Sequence, residues 1–209
     1  MSRIETQTQV IWRVDGDTSE LVDRLGLDYP DENPLMRIHA GQGTLREAQR
    51  QSELMKLLLA PDDLPEPLIA LAPVDVLGEA EVYPSDAPGL LVSETFVQAF
   101  WGELEASCKV YPVVPVLLDT PEVFSANREE LLAQALGGVR LFLVNPLTRI
   151  GVRTPTISED LLFVPGDVEL PPFFRVPWRK AAVFVRDDVQ QSITQGGFRG
   201  FSTTLIPGP

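Results

Sequence analysis

The chain has one histidine, His39, and one cysteine, Cys108. A serine or cysteine nucleophile needs a base to take its proton, and His39 is the only residue that could play the usual part. Neither residue sits in a promising setting. His39 precedes Gly41 in HAGQG and reads as a polar residue at a turn, while Cys108 follows ELEAS at a helix end, where a small thiol is more often buried than reactive. Two such residues cannot furnish a zinc site built from cysteine and histidine. The lone GxG of HAGQG lacks the preceding strand, further glycines or lysine that phosphate-cradling loops require, so it reads as a plain loop. Carboxylates remain. Asp62–Asp63, Glu129–Glu130, Glu159–Asp160 and Asp187–Asp188 could in principle form a glycosidase-like pair or hold magnesium. Adjacent acids usually face solvent, however, and Asp187 and Asp188 suit the first turn of a helix, whose dipole they complement. No catalytic residue, metal or cofactor is therefore assigned, and the chain reads as a binding protein and not an enzyme.

Composition points to the kind of partner. The 209 residues are 44% hydrophobic, enough for a real core, and 30 acidic against 17 basic side chains give a formal charge of −13. Such a charge repels a phosphate backbone or an anionic membrane, so neither nucleic acid nor membrane is expected, and a basic protein is the natural partner. A single cysteine excludes an intramolecular disulfide and favours the cytoplasm. The opening MSRIETQTQVIW has no apolar core of signal-peptide length, and no run approaches the roughly 18 apolar residues of a transmembrane helix.

The elements that would position a binding surface are legible in outline. QVIWRV (9–14) predicts an opening strand, followed by an acidic loop or short helix from Asp15 to Glu32. Thr44 and Glu47 have the spacing of a capping box and predict a helix over 44–59. Pro61, Pro65, Pro67 and Pro73 then make a connector. GLLVSETFVQAFWGEL predicts a buried strand, a cap at Ser93 and a helix over 94–105, and VFVRDDVQQSI repeats that signature, with Ser93–Glu94 matching Arg186–Asp187 and a helix over 187–195. A further helix is predicted over 127–136, capped by Ser125 or Asn127. VYPVVPVLL (110–118) is β-forming, but Pro112 and Pro115 predict an edge strand or a bulge. GVRLFLVNPLTRIGV (138–152) is the clearest strand pattern, turned at Asn145–Pro146. The expected fold is α+β: a mixed, mainly antiparallel sheet formed largely by residues 85–205, with helices packed on it. An N-terminal α/β portion (1–84) and a C-terminal α+β portion (85–209) are expected to form one compact unit.

Charge and aromatic residues nominate the contacts. Between Lys56 and Lys109 there is no basic residue, whereas basic residues offset the acids of the C-terminal third. An uncompensated acidic run would speed encounter with a basic surface. The candidate partner-binding residues are Asp62, Asp63, Glu66, Glu79, Glu81, Glu103 and Glu105, with Trp101 as an exposed aromatic anchor. Phe173, Phe174 and Trp178 in PPFFRVPWRK could form an exposed anchor cluster but are read as core residues between prolines.

LLVSETFVQAF, VYPVVPVLL, LFLVNPL, the FFR at 173–175 and the closing VFVRDDVQQSITQGGFRGFSTTLI follow one another in an order and spacing that resemble the immunity proteins of bacterial polymorphic toxin systems, numbered families eleven and forty-three. The resemblance covers about residues 85–205; it departs after the asparagine–proline turn, where LTRIGVRT stands in place of a valine–aspartate pair. It implies a stoichiometric inhibitor of a cognate toxin domain, with no catalytic residues to carry over. The alternatives on residues alone are a carboxylate- or metal-dependent enzyme, or an adaptor of a secretion system.

Overall fold

The computed structural model describes residues 9–25, 36–39, 66–72, 77–117, 128–147, 150, 169–176 and 179–206. The helix predicted over 44–59 and the residues Asp62, Asp63 and Trp178 lie outside the described residues. Those described form an α+β fold of ten strands and five helices: β1 (Ile11–Gly16), α1 (Thr18–Leu25), β2 (Arg37–His39), β3 (Leu68–Ala72), β4 (Val82–Tyr83), β5 (Leu90–Ser93), α2 (Glu94–Ala99), α3 (Trp101–Ser107), β6 (Cys108–Leu117), α4 (Arg128–Ala133), β7 (Leu141–Pro146), β8 (Phe173–Val176), β9 (Arg179–Arg186), α5 (Asp187–Gln195) and β10 (Phe201–Ile206). Among them no helix is long and apolar enough to cross a membrane.

Two sheets replace the single sheet expected from sequence, and strands of the first 84 residues belong to both. One has the order β10-β1-β9-β8, the other β2-β3-β6-β7-β5-β4. All pairings between strands are antiparallel except β3 with β6. The connector expected between Pro61 and Pro73 is overturned by β3, whose LIALA lies between Pro67 and Pro73, pairs with β2 and β6, and is buried along its whole length, as a strand with both faces covered must be. One face of the six-stranded sheet packs Ala70, Leu91, Tyr111, Val113 and Leu143 with Leu21 of α1. The opposite face is covered in two parts: α4 lays Leu131 on Ile69, Leu71 and Val116, and the four-stranded sheet with α2, α3 and α5 covers Leu90, Val92 and Val144.

The expected edge position of β6 is overturned, since β6 lies between β3 and β7. The two prolines are tolerated because the partners are staggered. β7 pairs with residues 108–113 and β3 with 113–117, so Pro112 and Pro115 each have a partner strand on one side only. A missing N–H can there face the side without a strand, where the Pro115 carbonyl accepts the Leu136 N–H at 2.9 Å. The helix expected over 94–105 is broken at Phe100, whose φ of −113° ends α2 while α3 starts at the next residue. The backbone ladder nevertheless runs through the break, from Phe100 N–H to Phe96 O and from Leu104 N–H to Phe100 O. Phe100 turns its ring onto Phe96, Phe198 and Phe173 at centroid distances of 4.8, 5.4 and 6.3 Å. Local packing of aromatics outweighs a straight helix at this point. The helix expected over 127–136 is found as Arg128–Ala133, and the one over 187–195 has its expected bounds. The acidic segment after β1 holds α1, where Asp17 Oδ1 accepts the N–H groups of Ser19 and Glu20.

The two matched strand-to-helix units fall in different sheets but share one core. Ser93 and Arg186 are both N-caps with nearly the same backbone angles, φ −75° and ψ 165° against φ −70° and ψ 161°. Leu90, Val92, Phe96 and Val97 of the first unit meet Val183, Val185, Val189 and Ile193 of the second in the same cluster.

A buried arginine ties the layers together. Arg175 is 3% exposed and stands where the β8–β9 register is irregular, between Phe174 and Val176. Its guanidinium donates to Asn145 Oδ1 at 2.9 Å, Pro88 O at 2.7 Å and Pro146 O at 3.3 Å. The asparagine–proline turn and the FFR segment, far apart in sequence, are thereby joined. Replacing Arg175 with alanine removes the donors and leaves these buried acceptors without them, so a loss of about 3 kcal/mol or more is expected in urea-unfolding measurements.

Candidate functional site

Three observations about charge decide where a binding surface can be. The stretch free of basic residues in sequence is not free of them in space. Arg199 reaches Glu81: its N–H donates to Oε2 at 2.8 Å and its Nε lies 3.6 Å from the same oxygen. Arg140 stands 3.3 Å from Glu94, and Arg186 lies within the field of Glu103. Asp188, bonded to Arg186, holds the guanidinium's proton more firmly, with Glu103 and Glu169 adding to the effect. The same contact, at 2.7 Å, pulls the Asp188 carboxyl below its ordinary value.

The candidate acids therefore do not form one patch. Leu68, Val113, Leu141 and Ser93 stand in one row across the six-stranded sheet, and Ser93 donates to Glu81 O at its far end. Glu66, just before β3, and Glu81, just before β4, thus lie at the same end of that sheet but four strand spacings apart, about 19 Å. Glu81 is built into the fold through Arg199. Glu79 and Glu81 both raise the affinity of the Tyr83 hydroxyl for its proton, although burial of that ring is the larger cause.

Of the candidates within the described residues, Glu66 is exposed ahead of β3, and the other exposed ones, Trp101 and Glu105, stand together on α3. Trp101 is 51% exposed, and Glu105, one helical turn on, is exposed beside it. Glu103 is half-buried on the same helix. The helix is held from beneath: Leu104 is fully buried, and Ser107 Oγ donates to Glu103 O at 2.8 Å while accepting the N–H of Phe173 at 3.4 Å. Phe100, immediately before Trp101, is packed among three other phenylalanines, so the tryptophan projects from an ordered base. Phe173 and Phe174 are both fully buried and are core residues.

The nucleophilic pair considered from sequence is not assembled. His39 ends β2 and pairs with Ile69, so it belongs to a strand and not to a turn. Its backbone is separated from that of Cys108 by two strand spacings and six residues along β6, about 20 Å in all. Burial pushes the Cys108 thiol up to about 12, against the lesser opposing effects of Ser107 and Arg175. The Ser107 proton is given to Glu103 O, so in the 3.6 Å contact between Ser107 Oγ and Cys108 Sγ the thiol is the donor. Among the described residues no group of three or more potential metal ligands is found. Asp187 accepts from Trp12 Nε1 at 2.8 Å and from Gln191 at 2.7 Å, so both acids at the start of α5 are engaged within the fold.

A cleft of about 360 Å³, which the sequence did not suggest, opens where β1 meets the segment after β4. Arg13, Asp15, Thr18, Ser85 and Asp86 line it. Its charges largely answer one another: Arg13 Nε donates to Asp15 Oδ2 at 2.6 Å, and Asp86 Oδ1 accepts the Ile38 N–H at 2.9 Å. It can hold a small polar group, but it has no prepared nucleophile.

No protein-family model matches this chain, and comparison with curated proteins finds no match.

Two outcomes are expected. Native Cys108 should resist thiol reagents at pH 8 and react on unfolding; the unfolded thiol ionises near 9.0 and the folded one near 12, so this group's contribution to stability is present below pH 9 and declines as pH rises above it. Glu81→Lys should lose roughly 2 kcal/mol of stability, by breaking the bond to the Arg199 N–H and crowding two cations, whereas Glu105→Lys should change it by less than about 0.5 kcal/mol in the same thermal-melting series.

Proposed function

We propose that this chain is an immunity protein that binds a cognate bacterial toxin domain and neutralises it by stoichiometric contact, in the cytoplasm and without turnover of its own. The observation that carries the reading on the structural side is Trp101, a large aromatic left half-exposed on α3 above a well-packed phenylalanine cluster. Tryptophan anchors are over-represented among residues that dominate protein interfaces, and a rigid base lowers the entropy lost on binding. On the sequence side the support is the resemblance over residues 85–205 and the charge of −13, which suits a basic partner.

The acidic contribution is narrower than the sequence suggests. Glu105 stands one turn from Trp101 and forms the rim, with Glu103 farther round the same helix, while Glu66, Glu79 and Glu81 lie in segments outside α3. If the toxin acts on nucleic acid its cleft is basic, and these carboxylates meet it where phosphate would lie. Rim charges act chiefly on association and buried anchors on dissociation.

The test is co-expression with the toxin encoded beside this gene, together with kinetics of the isolated pair. Wild type should restore growth. Trp101→Ala should weaken the complex by about 30-fold, mainly through faster dissociation. Glu103→Lys with Glu105→Lys should slow association several-fold at low salt and less at high salt, over a screening length of about 8 Å at physiological ionic strength. Soluble expression of both proteins with no rescue and no complex would overturn the reading.

A further inference from the structure

Among the described residues, the outer edge of β10 shows none of the devices that keep sheet edges apart. β10 is the end strand of its sheet and pairs with β1 without interruption from Phe201 to Ile206. FSTTLI contains no lysine, no proline and no charged residue, and the ladder shows no bulge. Protected edges ordinarily carry one of these. Among the described residues no strand pairs with its other side, and Ser202, Thr204 and Leu205 are exposed.

We propose that this edge pairs antiparallel with the same edge of a second copy of the chain, joining two four-stranded sheets into one continuous sheet about a two-fold axis. Such an axis stands perpendicular to the sheet and places side chains of the same face opposite each other. The register centred on Thr203 satisfies this. It sets Phe201 against Leu205 on one face, Ser202 against Thr204 on the other, and Thr203 against itself. Each of these pairs is apolar with apolar or hydroxyl with hydroxyl, combinations that favour cross-strand pairing, and Ile206 falls opposite Gly200, which adds no clash. A strand of unrelated sequence would rarely be self-complementary in this way.

Charge and surface select the same occupant. Two chains of net charge −13 repel over most of their surfaces, yet here they meet on a neutral strand. The nearest charges one strand in, Arg13 opposite Thr204 and Asp15 opposite Ser202, are paired with each other. Leu205 is 50% exposed opposite Trp12, and Val10, two residues before Trp12, is 46% exposed. These two apolar side chains lie at the same corner of the sheet and add area beside the new pairing. An edge-to-edge contact buries less than a standard interface, so the dimer is weak and concentration-dependent.

Sedimentation velocity of the full chain from micromolar to millimolar concentration tests this directly. Wild type should shift from one chain to two as concentration rises. S202E/T204E, which sets glutamate opposite glutamate twice, and S202K/T204K should each remain monomeric, while an equimolar mixture of the two should dimerise. Hydrogen exchange supplies a readout that needs no variant: alternate β10 amides of wild type should gain protection as concentration rises. A wild type that stays monomeric throughout, as it would if this edge served only a strand of a different protein, overturns the proposal. So does a dimer unaffected by either double substitution, or a charge-matched mixture that fails to associate although both variants melt cooperatively.

Discussion

β1 lies between β9 and β10, so a strand from the first sixteen residues holds apart two strands from the last thirty-one. Much of the described structure hangs on that insertion. It puts Trp12 and Val14 into the cluster shared with Val183, Val185 and Phe173, and it lets Trp12 Nε1 hold Asp187 at the start of α5. The chain leaving β1 is fixed as tightly. A Cβ on Gly16 would come within 2.5 Å of the Pro84 backbone, so the two sheets touch there main chain to main chain. Asp17 N–H bonds Gly200 O, and Gly200 has φ +80° and backs onto Val82 O with no room for a side chain. Without β1 the four-stranded sheet would split and the seam between the sheets would open.

That seam also redistributes charge. Arg199 is carried to Glu81 because residues 199–200 run beside β4, with Glu81 and Val82 both donating their N–H groups to Arg199 O. Arg140 reaches Glu94 because β7 pairs with β5. Neither ion pair is strong by itself, since partly exposed pairs contribute little to stability. Their effect is to give Glu81 and Glu94 cationic neighbours, so that the acidic run does not present one uniform band. The binding surface proposed on α3 is accordingly smaller, more local and more aromatic than charge counting implies.

The base of that surface shares its supports with the core. Ser107 links α3 to Phe173, Phe173 stands beside Phe174 on opposite faces of β8, and Arg175 follows in the same strand with its bonds to Asn145, Pro88 and Pro146. Trp101 is therefore positioned through buried contacts that reach across both sheets. Rigid placement of an anchor favours tight binding, and it also means that core substitutions far from α3 can change its presentation.

Much of the secondary structure could be read from the sequence, because alternation, caps and proline positions act over a few residues. The strands at β1, β5, β7 and β9, the cap at Ser93 and the helix over 187–195 follow from such local signals, as does the burial of Phe173, Phe174 and Cys108. The cap match between Ser93 and Arg186 was visible too, since equal local patterns give equal local geometry. Pairing was not visible, because it joins residues far apart in the chain. The central position of β6 depends on the stagger of β3 and β7, which lets two prolines sit in an inner strand. The break at Phe100 depends on aromatic neighbours from β8 and from the segment before β10. The division of the acidic run depends on arginines from the last third of the chain. Local signals thus determined several strands and helices and some inward-facing side chains, whereas tertiary structure made a buried strand of Leu68–Ala72 within what reads as a proline connector, and decided which segments are neighbours and which charges survive at the surface.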